Sequence, residues 1–391
     1  MVSIPPARRR QLRTWMPGSS SDRLRPAGDA DETEALADLA SNDYLNLARH
    51  PVVQQAAWTV IQEQGVGSAG SRLVTGSRPV HQQLEQALGH WLGWDTVLLF
   101  PSGFQANLAA VAALADRHTT VLADRLIHHS LLVGIQTSGG QLKRFAHNDL
   151  SDLQHKLENV RTRRPSQPLL VISESLFSME GTSPNLERLS ALCQRHDARL
   201  LLDEAHAVGV LGPGGRGLAA TVARPETPID KTITMVSGTF GKAFGSGGAF
   251  LATDAFWGDT LLQTSGAFRY TTALAPPLAA GALAALELIQ ANPQWGDTLV
   301  QRAEHWRDRI ADAGWPRPGG RGPILPLLVG DDQRTLDLQQ HLEREGILSI
   351  AIRPPTVPEG TARLRLVVHR QQSDDTLELL LQCLAQTRPT P

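Results

Sequence analysis

The chain of 391 residues contains only four lysines, and one of them lies in a setting suited to covalent chemistry. Lys242 lies in SGTFGKAFGSGG, between two apolar stretches predicted as strands. A lysine amine among small side chains is accessible and can form an imine with an aldehyde cofactor. The others fit less well, because Lys143 adjoins Arg144, Lys156 lies on a polar helix and Lys231 opens a strand. Lys242 is therefore the candidate nucleophile.

A carboxylate and an imidazole follow another apolar run. LLLDEAH puts Asp203 at the end of a predicted strand, with His206 three residues later. A carboxylate there can keep a pyridine nitrogen protonated, so that the ring accepts electrons. Alone, the pair is equally typical of a helix cap after a strand. Together with Lys242 it favours a cofactor site.

Two other motifs suggest nucleotides, and neither has its required context. GVGSAG, at 65–70, fits G-x-G-x-x-G but follows a helical pattern where the dinucleotide motif needs a strand. LLLDEAH resembles the magnesium-binding strand of ATPases, which also need G-x-x-x-x-G-K-[ST]. Here Val236 replaces the first glycine of that motif and Ala243 replaces the hydroxyl residue. We therefore favour a glycine-rich loop at 65–70 and keep an ATPase only as an alternative of another class.

Strand and helix patterns alternate from Thr96 onward. The predicted strands are TVLLF, TTVLAD, PLLVIS, RLLLDE, KTITMV and GGAFLAT. Such alternation predicts a mostly parallel α/β sheet, whose ligands bind beyond the carboxyl ends of the strands. After residue 283 come a helix and the strands PILPLLV, ILSIAI and RLRLVV, which indicate a smaller α+β unit. We predict an N-terminal arm at 1–46, a large domain at 47–283 and a small domain at 284–391.

Composition narrows the classes of function. Lys+Arg 37 against Asp+Glu 39 gives no basic excess for nucleic acid, and no apolar run reaches the length of a membrane span. Cys193 and Cys383 are far apart in the chain and predict neither a disulfide framework nor a metal site. We expect a cytoplasmic protein with no metal, nucleic-acid or membrane partner.

Nine segments, in order, resemble the α-oxoamine synthases, a family of fold-type-I pyridoxal-phosphate (PLP) enzymes. They are SNDYLNL, GSAGSRLVTGS, HQQLE, FPSGFQAN, ADRLIHHSLL, FSMEGT, LLLDEAHAVGVLGPGGRG, TFGKAFG and IRPPTVPEGTARLRL. The resemblance implies a large domain with a seven-stranded, mostly parallel sheet between helices, and a smaller C-terminal domain. Asn46 stands where the family usually has glycine, which predicts a positive φ at that turn.

The resemblance also implies roles around PLP. Lys242 forms the imine and moves protons at Cα, Asp203 pairs with the ring nitrogen, and His206 contacts the phenolic oxygen beside Ser178. His128 stacks on the ring, whereas its neighbour His129 is left out of the site. The phosphate contacts are expected from the backbone of Gly103 and Phe104, the hydroxyl of Thr239 and Thr272 of a neighbouring subunit.

For substrates, the IRPPTVP segment and the short arm resemble members of the family that join L-alanine to a pimeloyl thioester in biotin biosynthesis. Arg353 is expected to bind the amino-acid carboxylate with help from Asn42, and Thr356 and Arg13 to contact the acyl group. Arg10 is an alternative to Arg13. A homodimer is implied, and the acyl carrier, coenzyme A or a carrier protein, stays open. A glycine-using synthase that makes 2-amino-3-oxobutyrate is the alternative within the family.

Overall fold

The computed structural model describes residues 4–27, 35–222 and 232–387. Contacts divide the chain into two compact units. The larger comprises Leu47–Phe177 and Ser183–Gly296, and the smaller comprises Met1–Asn46, Ser178–Thr182 and Asp297–Pro391. None of the helices within the described residues is both long and apolar enough to cross a membrane.

Strands and helices are numbered separately in chain order. The strands are β1 (Trp15–Pro17), β2 (Arg23–Pro26), β3 (Leu36–Asp38), β4 (Thr96–Phe100), β5 (Thr120–Asp124), β6 (Gln141–Phe145), β7 (Leu169–Glu174), β8 (Arg199–Asp203), β9 (Ile233–Thr239), β10 (Ala249–Thr253), β11 (Ile324–Gly330), β12 (Ile347–Leu348), β13 (Ile350–Ile352) and β14 (Ala362–Val367). The helices are α1 (Pro51–Gln64), α2 (Pro79–Leu92), α3 (Gly103–Leu114), α4 (His129–Ser138), α5 (Leu150–Arg163), α6 (Leu186–Arg195), α7 (Ala255–Thr264), α8 (Gly266–Arg269), α9 (Pro276–Ala291), α10 (Trp295–Asp312), α11 (Asp332–Arg344) and α12 (Asp374–Gln386).

The larger unit contains a seven-stranded sheet in the order β4-β10-β9-β8-β7-β5-β6. Strand β10 pairs antiparallel with both β4 and β9, and the other pairings in this sheet are parallel. The predicted mostly parallel seven-stranded sheet is therefore confirmed. Every residue of β5, β7 and β10 is buried, as expected for strands covered by helices on both faces. The parallel strands therefore end along one edge of the sheet, where their following loops gather.

One strand of this sheet was not predicted from its residues. The edge strand β6, QLKRF, is exposed except at Phe145 and carries two positive charges. An edge strand faces solvent and does not need the continuous apolar run of a central strand. Its sequence therefore lacks the signal by which the other six were found.

The smaller unit contains two sheets, with orders β1-β2-β3-β12 and β11-β14-β13. The segment ILSIAI, predicted as one strand, is divided at Ser349. Its first part pairs in parallel with β3, and its second part pairs antiparallel with β14. The residues predicted as an arm are thus joined to C-terminal ones, for example through the bond from Ala37 N to Gly346 O, 2.8 Å long.

The division between the units also differs from the predicted boundary at residue 283. That position lies inside α9, which packs against α1 and α2 of the larger unit. The contacts place the division after Gly296. The turn at Asn46 has φ +55°, and the predicted positive φ is confirmed.

Candidate active site

Three of the predicted catalytic residues follow the carboxyl ends of parallel strands in the larger unit. Asp203 is the last residue of β8, Lys242 follows β9 by three residues, and His128 follows β5 by four. The charges of Asp203 and Lys242 both act on the His128 imidazole. The fold therefore brings together residues that are 39 to 114 positions apart in sequence.

The Asp203 carboxylate is buried and held on both oxygens. Oδ2 accepts a hydrogen bond of 2.8 Å from the Asn107 amide nitrogen, and Oδ1 accepts one of 2.9 Å from Ala205 N. The side chain is therefore fixed in direction at the edge of the sheet. A buried carboxylate so held suits a partner that carries a proton on nitrogen.

His128 precedes α4 and caps it. Its Nδ1 lies 2.7 Å from Ser130 Oγ and accepts a bond of 3.3 Å from Ser130 N. Burial lowers the pKa of His128, Asp203 raises it, and the charges of Lys242 and His129 lower it further. The net direction is downward from the ordinary value of 6.5, which favours the neutral imidazole.

Lys242 lies in a tight loop between β9 and β10. The loop is closed by bonds from Phe240 N to Gly248 O and from Ser246 N to Phe240 O, at 2.9 and 2.8 Å. Gly245 donates to Lys242 O at 2.9 Å and has φ +60°; a Cβ there would come within 2.1 Å of Ala48 N. Only glycine fits this position, so the backbone that carries the lysine is fixed.

The turn after Asp203 contains two more buried titratable groups. His206 is 7% exposed and Glu204 is 1% exposed. Glu204 Oε1 accepts bonds of 2.6 Å from Ser175 Oγ and 2.9 Å from Ala219 N. Burial is the main cause that raises the pKa of Glu204, to about 7. The hydrogen bonds oppose this rise, and the nearby charge of Asp203 adds to it.

An open helix start lies near these residues. Gly103 and Phe104 are the first two residues of α3, which Ser102 caps through its bond to Gln105 N. A Cβ at Gly103 would meet only Thr239 Cβ, at 4.0 Å. Thr239 Oγ1 donates to Gly248 O and accepts from Gly241 N. A helix N-terminus with this open space beside it suits a phosphate group.

Thr272 lies on a segment held by the glycine-rich loop. It forms an isolated bridge with Ser71, and Ala273 N donates to Gly70 O at 3.0 Å. Leu274 O accepts bonds of 2.8 Å from both Ser68 Oγ and His81 Nε2. GVGSAG follows helix α1 and contains or adjoins the residues that bond to this segment. It therefore lacks the strand–turn–helix context of a dinucleotide site.

In the smaller unit, Asn42 and Ser178 meet at a residue that the sequence analysis missed. Arg365 Nε donates to Ser178 O at 2.6 Å, and its Nη2 donates to Asn42 Oδ1 at 2.8 Å. Arg365 is 5% exposed and lies in β14. Its alternation with apolar residues in RLRLVV was the only available signal, and it was interpreted as a strand alone.

The remaining predicted substrate residues also lie in the smaller unit. Arg353 Nη1 donates to Ala7 O, and its Nε is buried with no hydrogen-bond partner among the described residues. Arg10 Nη2 donates to Thr356 Oγ1 at 2.7 Å. Arg13 instead pairs with Glu343. The structure therefore brings Arg10 to Thr356 and does not bring Arg13 there.

Residues 34–384 match the family described as aminotransferase class I and II. The chain belongs to this family. Among its relatives, an 8-amino-7-oxononanoate synthase from Nitrosomonas eutropha is 41% identical over 96% of this chain and 95% of its own length.

Solved structures of this family are similar to the chain in fold. A serine palmitoyltransferase from S. paucimobilis has a TM-score of 0.88 at 24% identity, covering 96% of this chain and 92% of its own. An 8-amino-7-oxononanoate synthase from Francisella tularensis has a TM-score of 0.74 at 26% identity, covering 90% and 97%. The predicted fold-type-I architecture and the α-oxoamine synthase resemblance are confirmed.

The family member is a PLP-dependent transferase, and the residues present fit that cofactor. A buried carboxylate ends strand β8, a lysine follows the adjacent strand β9, and an open helix N-terminus is available for a phosphate. These are the three chemical features that PLP requires of a protein. The ATPase alternative lacks its phosphate loop, as the motif analysis indicated.

Proposed function

We propose that the protein joins L-alanine to a pimeloyl thioester, forming 8-amino-7-oxononanoate, CO₂ and the free thiol carrier in biotin biosynthesis. The name of the relative that is 41% identical over 96% of the chain supports this reaction. The observation that carries the proposal is the position of Asp203, Lys242 and His128 at or just after the carboxyl ends of strands β8, β9 and β5. An amine, a carboxylate and a neutral imidazole are the groups this condensation needs.

PLP, when bound, supplies an aldehyde that takes up amines and a ring that withdraws electrons from the amino-acid Cα. Lys242 would hold the cofactor between turnovers and then carry the proton removed from Cα. Asp203 would keep a proton on the ring nitrogen. His128 would stack on the ring and donate from Nε2 to the oxygen of the thioester carbonyl as negative charge develops there.

Other residues would hold the cofactor in place. Gly103 and Phe104 would donate backbone N–H groups to the phosphate, with the hydroxyls of Thr239 and, from a neighbouring subunit, Thr272. His206 and Ser178 would contact the phenolic oxygen. The open space at Gly103 supports the first of these assignments.

We propose that Arg353 binds the carboxylate of the amino acid, since a guanidinium can form two parallel bonds to it. Its buried Nε, which has no partner in the described part of the chain, supports this role. Asn42 would assist. Thr356 would contact the acyl substrate together with Arg10, which replaces Arg13 because it is the arginine bonded to Thr356.

We also propose a homodimer. Four apolar side chains on the glycine-rich loop, the helical turn Arg72–Gly76 after it and the Thr272 segment are 52% to 81% exposed: Val66, Leu73, Val74 and Tyr270. Apolar groups so close together favour burial against a second copy. Cys193 and Cys383 are both buried as thiols, and thiols in place of disulfides support a reducing, cytoplasmic location.

Visible spectroscopy and product analysis test the proposed reaction. PLP-loaded protein is mixed with L-alanine or glycine and with pimeloyl-coenzyme A, pimeloyl carrier protein or acetyl-coenzyme A. We expect spectral change with alanine, thiol release, and a product with the mass of 8-amino-7-oxononanoate. Turnover restricted to glycine and acetyl-coenzyme A would instead assign the protein to 2-amino-3-oxobutyrate formation and overturn the proposal.

A further inference from the structure

We propose that Asn107 and Ser130 are positioning residues that hold His128 as the neutral imidazole with its proton on Nε2, and that connect it to Asp203. The consequence for catalysis rests on the proposed function, in which His128 donates a hydrogen bond from Nε2. The hydrogen-bond arrangement itself is independent of the substrate. Neither Asn107 nor Ser130 was among the predicted site residues.

The four side chains form one chain of hydrogen bonds. The Asn107 amide nitrogen lies 2.8 Å from Asp203 Oδ2 and 2.9 Å from Ser130 Oγ. Ser130 Oγ lies 2.7 Å from His128 Nδ1. Asn107 and Ser130 are 4% and 0% exposed, so water does not compete for these bonds.

The direction of each bond follows from Asp203. A carboxylate only accepts, so the Asn107 group facing it is NH₂ and not the amide oxygen. The second N–H of the same NH₂ then donates to Ser130 Oγ. The hydroxyl of Ser130 accepts this bond and keeps its own proton available to donate to His128 Nδ1. Each hydrogen along the chain points from donor to acceptor without conflict.

A second donor acts on the same histidine nitrogen. The backbone N–H of Ser130 also points at His128 Nδ1, at 3.3 Å. A nitrogen that accepts from two donors carries no proton, so the proton of the neutral ring lies on Nε2. Protonation at Nδ1 would break the bond from Ser130 N and leave that backbone N–H facing the ring N–H.

Charged groups around His128 do not reverse this arrangement. Asp203 favours the charged imidazole, whereas burial and the charges of Lys242 and His129 disfavour it, and the pKa of His128 is lowered overall. Glu174 Oε1 accepts from the backbone N of His128. The hydrogen bonds and the surrounding charges therefore act in the same direction.

The Asn107 amide oxygen gives independent support. It is buried and has no hydrogen-bond partner among the described residues. An unpaired buried amide oxygen is unfavourable. This cost is offset by the two hydrogen bonds that the NH₂ group of Asn107 donates, one to Asp203 and one to Ser130.

The test uses PLP-loaded protein with ¹⁵N-labelled histidine, in which two-dimensional NMR distinguishes the two neutral tautomers and gives the pKa of His128. His128→Gln assigns the signals. We expect the Nε2–H tautomer in the wild type at pH 7. In Ser130→Ala we expect mixed tautomers and a pKa for His128 raised by about one unit, the value of one hydrogen bond.

Asn107→Ala should move both signals in the same direction as Ser130→Ala but less far. Thr137→Val on the same helix, whose hydroxyl bonds only backbone carbonyls, should leave both unchanged. A wild-type ring protonated on Nδ1, or unchanged NMR signals in Ser130→Ala, would overturn the proposal. The wild-type result is decisive even if a variant fails to fold. Failure of the proposed function would appear separately, as absence of the expected product with L-alanine.

Discussion

The amide nitrogen of Asn107 lies 2.8 Å from the carboxylate of Asp203, across 96 positions of sequence. One residue begins the second turn of α3, and the other ends the central strand β8. The hydrogen bond from Asn107 therefore fixes the orientation of the Asp203 carboxylate at the edge of the sheet. A group held in one direction before its partner binds loses little entropy when it is used.

Asp203→Asn should therefore retain the fold and lose activity. The amide cannot keep a proton on a ring nitrogen as a carboxylate does, so we expect kcat to fall by roughly 100- to 1000-fold. Steady-state assays with alanine and pimeloyl thioester would measure this. Asp152→Asn, at a partly exposed ion pair with Lys156 on α5, is the control. An unchanged kcat in Asp203→Asn would contradict the assigned role.

Lys242→Ala should abolish covalent attachment of PLP. Borohydride reduction followed by peptide mass spectrometry should find the cofactor mass on the peptide containing Lys242 in the wild type, and on no peptide in the variant. Lys156→Ala should behave as the wild type, since Lys156 pairs with Asp152 on α5. Cofactor mass on another lysine in the wild type would refute the assignment.

Glu204→Gln should change how stability depends on pH. The pKa of Glu204 is about 7 in the folded protein and ordinarily 4.5. Between these values the unfolded chain releases a proton that the folded protein keeps. The free energy of unfolding should therefore fall as pH rises from 4.5 through 7, by about 3 kcal/mol in total.

Urea unfolding of the PLP-loaded protein at pH 5, 6, 7 and 8 measures this effect. Glutamine stays neutral and can still accept from Ser175 and Ala219, so the variant should lose less stability than the wild type across the range. Glu63→Gln, on the exposed face of α1, should follow the wild-type profile. Parallel profiles for Glu204→Gln and the wild type would show that this carboxyl is ionised throughout.

Arg10 and Arg13 provide a matched pair on one segment. Arg10 bonds Thr356, whereas Arg13 pairs with Glu343. We expect Arg10→Ala to raise KM for the pimeloyl thioester by about tenfold, the cost of one hydrogen bond to a charged group. Arg13→Ala should leave KM within twofold. The reverse pattern would restore Arg13 as the acyl contact.

Much of the fold could be predicted because burial leaves a mark on sequence. Six strands of the larger sheet are continuous apolar runs, and the positive φ of Asn46 follows from the turn in which it lies. β6 was missed because it is an exposed edge. The division of ILSIAI at Ser349 could not be predicted, since the pattern of a strand does not identify the strand it pairs with.

For the candidate site, the positions of residues at strand ends could be predicted, whereas the side chains that bond to them could not. Lys242 and Asp203 adjoin recognisable strands, and helix α3 begins at a glycine. Asn107 lies on α3 and Ser130 on α4, and their hydrogen bond depends on how the two helices direct these side chains. Nothing in local spacing distinguishes an asparagine that faces a carboxylate from one that faces solvent.

The segment divided at Ser349 sets the length of chain between two sheets. Ser349 is fully buried, and beyond it Ile350 and Ala351 alternate between exposed and buried positions against β14. One inserted residue would exchange these faces in β13 while leaving β12 in place. Insertions and deletions next to Ser349 should therefore be far less tolerated than those in the exposed turn at 358–360.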